Sequence, residues 1–180
     1  MPAAPEAVLS FWREAGPKRW FAVDLAFDAE IRERFLATHE AAAAGRLSAW
    51  EDTAEGVLAL VIALDQFPRN MFRGTARAFS TDPLARAVAR RAIEHGFDRA
   101  IPMPERNFFY LPFEHSENLA DQELCFTLTE ATGDAEAVKW AKIHLDVIRR
   151  FGRFPHRNAA LSRISTPEEI AFLEGGGFRA

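Results

Sequence analysis

Polar side chains of the kinds that bind anions are concentrated in residues 64–79, LDQFPRNMFRGTARAF. An arginine guanidinium presents five donors in a planar fork, which matches a carboxylate or phosphate in two-point contact. The same fork can instead tie this segment to the preceding helix by binding a nearby carboxylate or exposed carbonyl groups. Both interpretations remain open for each arginine. The candidate ligand-binding residues in this stretch are Asp65, Gln66, Arg69, Asn70 and Arg73.

A second Phe-Pro motif lies in residues 152–163, GRFPHRNAALSR, and is again followed by arginine and asparagine. Proline lacks an N–H group and disfavours α geometry in the residue before it, so each Phe-Pro is predicted to end a helix. The polar groups that follow would then emerge at helix ends, and we predict that both sets face one shared polar recess or groove. The candidate residues of the second set are Arg153, His156, Arg157 and Asn158.

Two histidines are candidates for acid–base chemistry, because an imidazole titrates near neutral pH. His115 lies in the string LPFEHSE, beside Ser116 and Glu117, and His144 lies in a later helical pattern. Each histidine falls at or beside an apolar helical stripe, where the alternative is a core histidine with one satisfied hydrogen bond. His115, Ser116, Glu117 and His144 complete the set of candidate site residues.

Other catalytic signatures are absent from the sequence. It contains no His-Glu-x-x-His or Glu-x-x-His metal motif and no Gly-x-Ser-x-Gly nucleophile turn. The glycine run at 175–178, GGGF, precedes no helix, so it does not match a phosphate-binding loop. We therefore expect neither a metal nor another cofactor.

Composition and charge exclude several classes of protein. The chain has 180 residues, 48% of them hydrophobic and 27% charged, which is typical of a soluble globular protein. A net charge of -4 offers no basic face for DNA or RNA. The longest apolar run, 56–64, is too short to span a membrane, and the N-terminus lacks a secretion signal. Since Cys125 is the single cysteine, no internal disulfide can form, and a cytoplasmic location is expected.

Prolines and glycines separate helix-length segments, and no sustained two-residue alternation indicates strands. Asp82 and Thr166 are predicted to cap two helices, with Glu169 completing a capping box at the second. Residues 56–64 are apolar on every face, which favours a central buried helix. The chain is predicted to form a single all-α domain over residues 1–180. Helices are predicted over residues 5–15, 24–44, 53–66, 83–95, 104–131 (interrupted at Pro112), 134–151 and 167–174.

Several long strings carry a resemblance to a known family. They are VLSFWREAG with the KRWF that follows it, LDQFPRNMFRGTARAFSTDPLA, FFYLPFEHSE and FGRFPHRNAALSRISTPEEIAFL. Over about residues 6–173 the chain resembles a widespread bacterial family of unknown function that is grouped with the tetratricopeptide-like helical proteins. The resemblance implies an all-α, tetratricopeptide-like array of antiparallel helical hairpins, and no known reaction, substrate or cofactor. Glu114 stands where the family often has methionine, which weakens the case for a catalytic Glu114.

The first two of three functional hypotheses assign opposite roles to the arginines. A tetratricopeptide-like binding module would hold an anionic small molecule or peptide in its groove of arginine, histidine and asparagine, with Arg69 and Arg157 exposed there. If the arginines are internal ties instead, they should be buried, with their donors occupied and no pocket beside them. Nucleic acid and membrane partners are not expected, and the high aromatic content allows a homodimer.

The third hypothesis is an enzyme that acts on a small anionic substrate. His115 or His144 would serve as the acid or base, and an adjacent carboxylate, Glu117 or Asp146, would orient it. Arginines would hold the anion. This hypothesis predicts that both histidines line one enclosed pocket near the arginines and have displaced pKa values.

Overall fold

Helices form all the regular secondary structure in residues 1–178, the part of the chain that this computed structural model describes. The prediction of an all-α fold is therefore confirmed. A π-helical turn, Ile62–Gln66, joins α4 to α5, and 3-10 turns cover Ser48–Asp52, Ala76–Phe79, Glu105–Phe109 and Pro155–Arg157. The α-helices are α1 (Pro5–Ala15), α2 (Pro17–Trp20), α3 (Leu25–Ala43), α4 (Ala54–Val61), α5 (Phe67–Met71), α6 (Asp82–Glu94), α7 (Phe97–Ala100), α8 (Leu111–Glu114), α9 (Leu119–Glu130), α10 (Ala135–Phe151) and α11 (Pro167–Glu174).

The chain folds as two compact units. The first unit spans Met1–Pro112 and contains α1 to α7, and the second unit begins at Phe113 and contains α9 to α11. The single-domain and tetratricopeptide-like organisations stay predictions. Within residues 1–178, no helix combines the length and the apolarity that crossing a membrane requires.

The first unit is built around α4, in which residues 56–61 are all buried. Helices α1 and α6 pack against it, which confirms the predicted central helix, because a helix that is apolar all round needs cover on every side. Aromatic side chains fill the surrounding core. The ring of Trp12 contacts those of Trp20, Phe67 and Phe108 at centroid distances of 6.0, 5.8 and 5.6 Å.

In the second unit, α9 and α10 pack against each other and are joined by residues 131–134. Helix α10 is amphipathic, with Ala141 and Leu145 buried and Lys142 and Asp146 exposed. One core cluster in this unit combines aliphatic side chains of α10 with aromatic rings from the segments that follow it. Its members are Val147, Ile148 and Phe154, with Phe151, Phe172 and Phe178 packed against them.

Helix ends follow the predicted capping with one exception. The Thr166 hydroxyl accepts from Glu169 N–H while the Glu169 carboxylate accepts from Thr166 N–H, which confirms the capping box. The prediction that Asp82 caps α6 is wrong, because Thr81 occupies the cap position and Asp82 is the first helical residue. Asp82 directs its carboxylate to Arg69 instead, and a charge-assisted pair of this kind is stronger than a cap bond to a neutral N–H.

Candidate functional site

The first Phe-Pro motif lies inside a helical segment and does not end it. Ile62–Gln66 forms a π-helical turn, in which Phe67 N–H bonds Ile62 O five residues back. Phe67 keeps α geometry, with φ −56° and ψ −42°, and α5 runs through Pro68 to Met71. The predicted helix stop at this motif is wrong, because the wider π turn gives the proline ring room that a regular α turn would not.

The π turn and the proline leave backbone carbonyl groups that side chains satisfy. Pro68 has no N–H to offer Leu64 O, and Thr81 Oγ1 donates to that oxygen at 2.6 Å. His39 Nδ1 lies 2.9 Å from Ala63 O and must be the donor, because a carbonyl oxygen only accepts. Burial lowers the pKa of His39, so the ring is held as a neutral donor. Side chains of the same chain therefore form hydrogen bonds with both carbonyl groups, Ala63 O and Leu64 O.

Arg69 is bound by two carboxylates. Its Nη1 and Nη2 atoms donate to Asp82 Oδ1 and Oδ2 at 2.9 and 3.0 Å. Nη1 also donates to Asp65 O at 2.6 Å and lies 3.3 Å from the Asp65 carboxylate. Burial alone would lower the pKa of Arg69, but the two carboxylates raise it. The side chain of Arg69 is 18% exposed, whereas the binding-module hypothesis predicts an exposed side chain and the tie hypothesis a buried one.

The neighbouring polar residues are paired in the same way. Arg73 makes a two-point contact with Asp28 at 2.8 and 2.9 Å, and Asn70 Nδ2 donates to Asp28 Oδ1 at 2.7 Å. Gln66 Nε2 donates to Asp65 Oδ2 at 2.6 Å. An incoming anion would have to displace a carboxylate, so these contacts act as ties between α3, α5 and α6, and the predicted ligand-binding role stays a prediction. We call this set the first arginine cluster: Asp28, Asp65, Gln66, Arg69, Asn70, Arg73 and Asp82.

The second Phe-Pro motif follows a helix that has already ended. Helix α10 stops at Gly152, which has the left-handed conformation (φ 69°) that glycine adopts without steric cost. Phe154 is extended, and Pro155 begins the 3-10 turn Pro155–Arg157. Gly152 therefore ends α10, and the prediction that Phe154-Pro155 ends a helix is wrong.

Two imidazoles and one guanidinium contact the Phe154 ring, and a third imidazole contacts one of those two. The His144 and His156 rings each lie 5.6 Å from that of Phe154, and the His115 ring lies 6.4 Å from that of His144. The Arg157 guanidinium stacks over Phe154 at 4.4 Å, and its Nη1 donates to His115 O at 3.0 Å. We call these five residues the histidine cluster. Arg157 is 6% exposed, which agrees with the tie hypothesis on burial and differs from the exposed arginine that the binding-module hypothesis predicts.

His144 is oriented by a carboxylate, but not by either carboxylate predicted from the sequence. His144 Nδ1 donates to Trp140 O at 2.9 Å and lies 3.3 Å from Glu114 Oε1. Glu114 is therefore the buried carboxylate at this ring, although the sequence argued against a role for it. Asp146 lies on the exposed side of α10, where it pairs with Lys142.

Burial keeps two histidines of the cluster, His144 and His156, neutral at physiological pH, because it lowers the pKa of each. Burial lowers the pKa of His144 to about 3, and the positive charges of His115, Arg157 and His156 add to the effect. Burial, followed by the charge of Arg157, lowers the pKa of His156 to about 4. Since His144 is uncharged at neutral pH, its contact with Glu114 is not an ion pair.

Arg153 and Asn158 hold α11 in place. Arg153 donates through Nε and Nη2 to the two oxygens of Glu169 at 2.6 and 2.8 Å, and through Nη2 to Ile164 O. Asn158 Nδ2 donates to Glu169 Oε2 at 3.2 Å and to Ser165 Oγ at 3.0 Å. The hydrogen bonds from Arg153 lower the pKa of Glu169 to about 2. The arrangement is a tie at the start of α11.

Glu117 and Ser116 support the backbone beside the histidine cluster. Glu117 accepts a two-point contact from Arg163 at 2.8 and 2.9 Å and another bond from Phe154 N–H at 2.8 Å. Ser116 Oγ donates to Asp121 Oδ2 at 2.7 Å. Glu117 thus positions Phe154, the ring around which the cluster is arranged, and does not orient a histidine as predicted.

The segment 156–163 contains buried polar atoms that lack a hydrogen-bond partner within residues 1–178. They are His156 Nδ1, Asn158 Oδ1 and Arg163 Nε. No side-chain atom of the first arginine cluster is in this state in the same described range. Buried polar atoms in proteins are normally paired, so unmatched donors and acceptors close to the histidine cluster indicate a place where another group can bind.

Phe178 completes the surroundings of the cluster and was not predicted from the sequence. Its ring lies 4.3 Å from that of His144 and 5.2 Å from that of His156. Gly176, in the left-handed conformation with φ 80°, turns the chain after α11, and a Cβ on Gly177 would lie 2.5 Å from Phe172 O. The sequence signal for this position of Phe178 was the GGGF run, because it marks a bend that only glycine can make.

Two surface cavities of the first unit lie elsewhere. One, of about 450 Å³, is lined by residues that include Arg13, Glu14 and Glu55. The other, of about 160 Å³, lies between Leu60, Leu84 and neighbouring residues. None of the predicted site residues lines either cavity. Residues 1–178 contain no group of three or more His, Cys, Asp or Glu side chains placed to hold a metal ion.

Comparison with known proteins identifies relatives but no activity. Residues 8–177 match the model of a family described as "Bacterial protein of unknown function (DUF924)". The chain is 47% identical to a protein of unknown function from Agrobacterium tumefaciens, ATU0120, whose structure is solved. The similarity covers 96% of this chain and 97% of that one, with a TM-score of 0.93. No curated protein matches the chain.

Proposed function

This chain belongs to the bacterial family of unknown function whose model it matches, so the family suggests no reaction, and we propose a function from the geometry of the side chains. The second unit is a binding module, and its histidine cluster holds the carboxylate or phosphate of a small anionic ligand. The first arginine cluster is a structural tie. The location of the site in one unit differs from the recess shared by both Phe-Pro motifs that the sequence suggested.

The observation that carries this proposal is the buried, unmatched Nδ1 atom of His156, whose ring lies in one cluster with the Arg157 guanidinium and two further imidazoles. An imidazole N–H and a guanidinium are the donors that an oxyanion accepts best. In the first arginine cluster, by contrast, carboxylates of the chain already receive the arginine donors. In the histidine cluster, a ligand anion would gain a hydrogen bond at His156 Nδ1, where no carboxylate of residues 1–178 has to be displaced.

Binding of an anion should also be linked to protonation. Positive charge and burial depress the pKa values of His144 and His156, and an anion placed among them would raise both. Proton uptake then accompanies binding, and affinity rises as the pH falls towards these pKa values.

The contact between Glu114 and His144 favours a second candidate, in which His144 acts as a base. Trp140 O and Glu114 hold its Nδ1, which leaves Nε2 as the reactive nitrogen. A pKa of about 3 makes that nitrogen a weak base, so binding remains the better-supported function. Hydrolysis of p-nitrophenyl phosphate and p-nitrophenyl acetate tests the candidate. Turnover that is lost in His144→Asn supports catalysis, and equal background rates in both proteins count against it.

The binding proposal is tested by calorimetric titration with acetate and with inorganic phosphate at pH 7. His156→Phe keeps a ring against Phe154 and Phe178 but removes both nitrogens, and losing a hydrogen bond to a charged ligand should weaken binding about 10-fold or more. His95→Phe, at an exposed histidine of the first unit, is the matched control and should bind normally. If His156→Phe binds both anions as tightly as the unmodified chain, or if Arg73→Ala alone abolishes binding, the proposal is wrong.

A further inference from the structure

We infer that the Phe178 ring occupies an aromatic subsite of the histidine cluster, and that the ligand of this cluster is an arylalkyl carboxylate. Such a ligand places a phenyl ring in the subsite and its carboxylate against the imidazoles and Arg157. The inference rests on the proposed anion-binding function and specifies the class of ligand. Two sources share this chemistry: a free arylalkyl carboxylate and a peptide that ends in phenylalanine.

The contacts of Phe178 define the subsite. Its ring meets the His144 ring at 4.3 Å with an interplanar angle of 60°, and the His156 ring edge-on at 5.2 Å. The Phe154 and Trp140 rings lie further away, at 6.3 and 6.4 Å. Edge-to-face and tilted contacts at these distances are favourable for aromatic pairs. A phenyl ring that replaced Phe178 would meet the same four surfaces.

The position of the ring relative to the polar atoms explains why the ligand should also be anionic. Two of the four side chains that touch Phe178 are imidazoles, and one of them, His156, has a buried Nδ1 with no hydrogen-bond partner in residues 1–178. Phe178 contributes a hydrocarbon ring and cannot satisfy that nitrogen. A ligand with the same ring and a carboxylate on a short chain could fill the subsite and also accept from the imidazole.

The segment that carries Phe178 is suited to exchange with a ligand. Residues 175–177 are glycines, and glycine loses more conformational freedom on ordering than any other residue. Gly177 N–H bonds Phe172 O at 2.9 Å, which returns the chain towards α10. Release of Phe178 would restore the freedom of this glycine run. An attached ring competes at an effective concentration on the order of millimolar, so its removal should strengthen ligand binding.

The experiment compares 3-phenylpropionate with acetate in titrations of the unmodified chain, Phe178→Ala and Phe172→Ala. Phe172 packs on Phe151 at 5.0 Å, so its replacement controls for the loss of an aromatic ring near α11. Phe178→Ala should bind 3-phenylpropionate about 10-fold more tightly, because the competing ring is gone. Acetate affinity should stay unchanged, and Phe172→Ala should show no gain. Gly177→Ala, in which the new Cβ would meet Phe172 O, should reproduce part of the gain without removing the ring.

The outcomes separate this inference from the function on which it rests. If acetate binds and depends on His156, but Phe178→Ala shows no gain with 3-phenylpropionate, the aromatic subsite is wrong and the anion site stands. If acetate never binds, and if Phe178→Ala increases the affinity for neutral benzyl alcohol as much as for 3-phenylpropionate, the proposed function and the carboxylate part of the inference are both wrong. An acetylated Gly-Gly-Phe peptide with a free carboxylate, set against its amide, identifies the source. If Phe178→Ala increases the affinity for the peptide with a free carboxylate more than the affinity for 3-phenylpropionate, the ligand is a peptide terminus.

Discussion

The two Phe-Pro regions contain the same kinds of side chain but differ in what those side chains bind. In the first unit, Arg69 and Arg73 face Asp82 and Asp28, each in a two-point contact. In the second, Arg157 stacks on Phe154 and bonds a backbone carbonyl, among imidazoles that burial keeps neutral. The guanidinium groups of the first region are paired with internal carboxylates and tie helices together. In the second region, the capacity for a ligand that we propose lies at the unmatched Nδ1 atom of His156.

The largest expected effect on stability comes from removing Arg69, which ties α5 to α6 in the first arginine cluster. Arg69→Ala would leave Asp65 and Asp82 buried without the guanidinium that both carboxylates contact, and unpairing a buried charge costs about 3–5 kcal/mol. Urea denaturation should show this loss in the free energy of unfolding. Arg77→Ala removes an exposed pair with Glu40 and should cost about 1 kcal/mol or less. Equal effects of the two changes would contradict the account of the first arginine cluster.

A second prediction concerns the proline inside the π-helical segment. Thr81→Val removes the donor to Leu64 O and should cost about 1–3 kcal/mol, because a buried carbonyl loses its partner. Pro68→Ala restores an N–H that can reach this carbonyl in an α turn. Thr81→Val should therefore cost less in the Pro68→Ala background, as measured in a double-mutant cycle by denaturation. A cost that is identical in both backgrounds would show that the hydroxyl does not compensate for the proline.

Acid should destabilise the chain through the histidine cluster. The folded pKa values of His144 and His156, about 3 and about 4, lie below the ordinary value near 6.5, so the unfolded chain binds more protons. Stability from these groups is complete above pH 6.5 and declines as the pH falls towards 4. Between pH 7 and 5 we expect a loss on the order of 1–2 kcal/mol per histidine.

Denaturation of His144→Phe at the two pH values provides the check. The variant should lose less stability between pH 7 and 5 than the unmodified chain, whatever its stability at pH 7. His95→Phe is the control for replacing a histidine of the first unit. A pH dependence that His144→Phe leaves unchanged would show that His144 is not held neutral by burial.

The smallest expected effect on stability concerns the end of α10, where Gly152 and the Phe154-Pro155 motif are compared. Gly152→Ala places a Cβ in open space but at φ 69°, so backbone strain alone should cost about 1–2 kcal/mol. Pro155→Ala, beyond the end of α10, should have less effect on thermal stability. If Pro155→Ala is the more damaging change, the Phe-Pro motif and not Gly152 ends α10.

The sequence allowed the helices to be predicted better than the site, and the reasons are physical. Periodicity, glycines and the Thr166–Glu169 capping box are local signals, and they placed α1, α10 and α11 closely. The π turn could not be predicted, because Thr81 and His39, which satisfy its carbonyls, are distant in sequence. A local rule for proline therefore predicted a helix stop where the fold continues.

Site residues were predicted by type, whereas their partners depend on tertiary structure. Arginines and histidines were selected by residue type, and nothing local showed that Asp82 and Asp28 would receive the first set of arginines. Glu114 was set aside because of the family resemblance, and it lies against His144. Phe178 was overlooked because a single aromatic residue after glycines has no periodic signal.

One measurement tests the central claim most directly. Histidine imidazole and arginine Nε–Hε signals are followed by NMR in ¹⁵N-labelled protein as inorganic phosphate is added at constant ionic strength. We predict that the signals of His144, His156 and Arg157 shift and that the two histidine titrations move to higher pH, while the signals of Arg69 and Arg73 stay fixed. Shifts at Arg69 and Arg73 with no change in the histidine cluster would contradict the account.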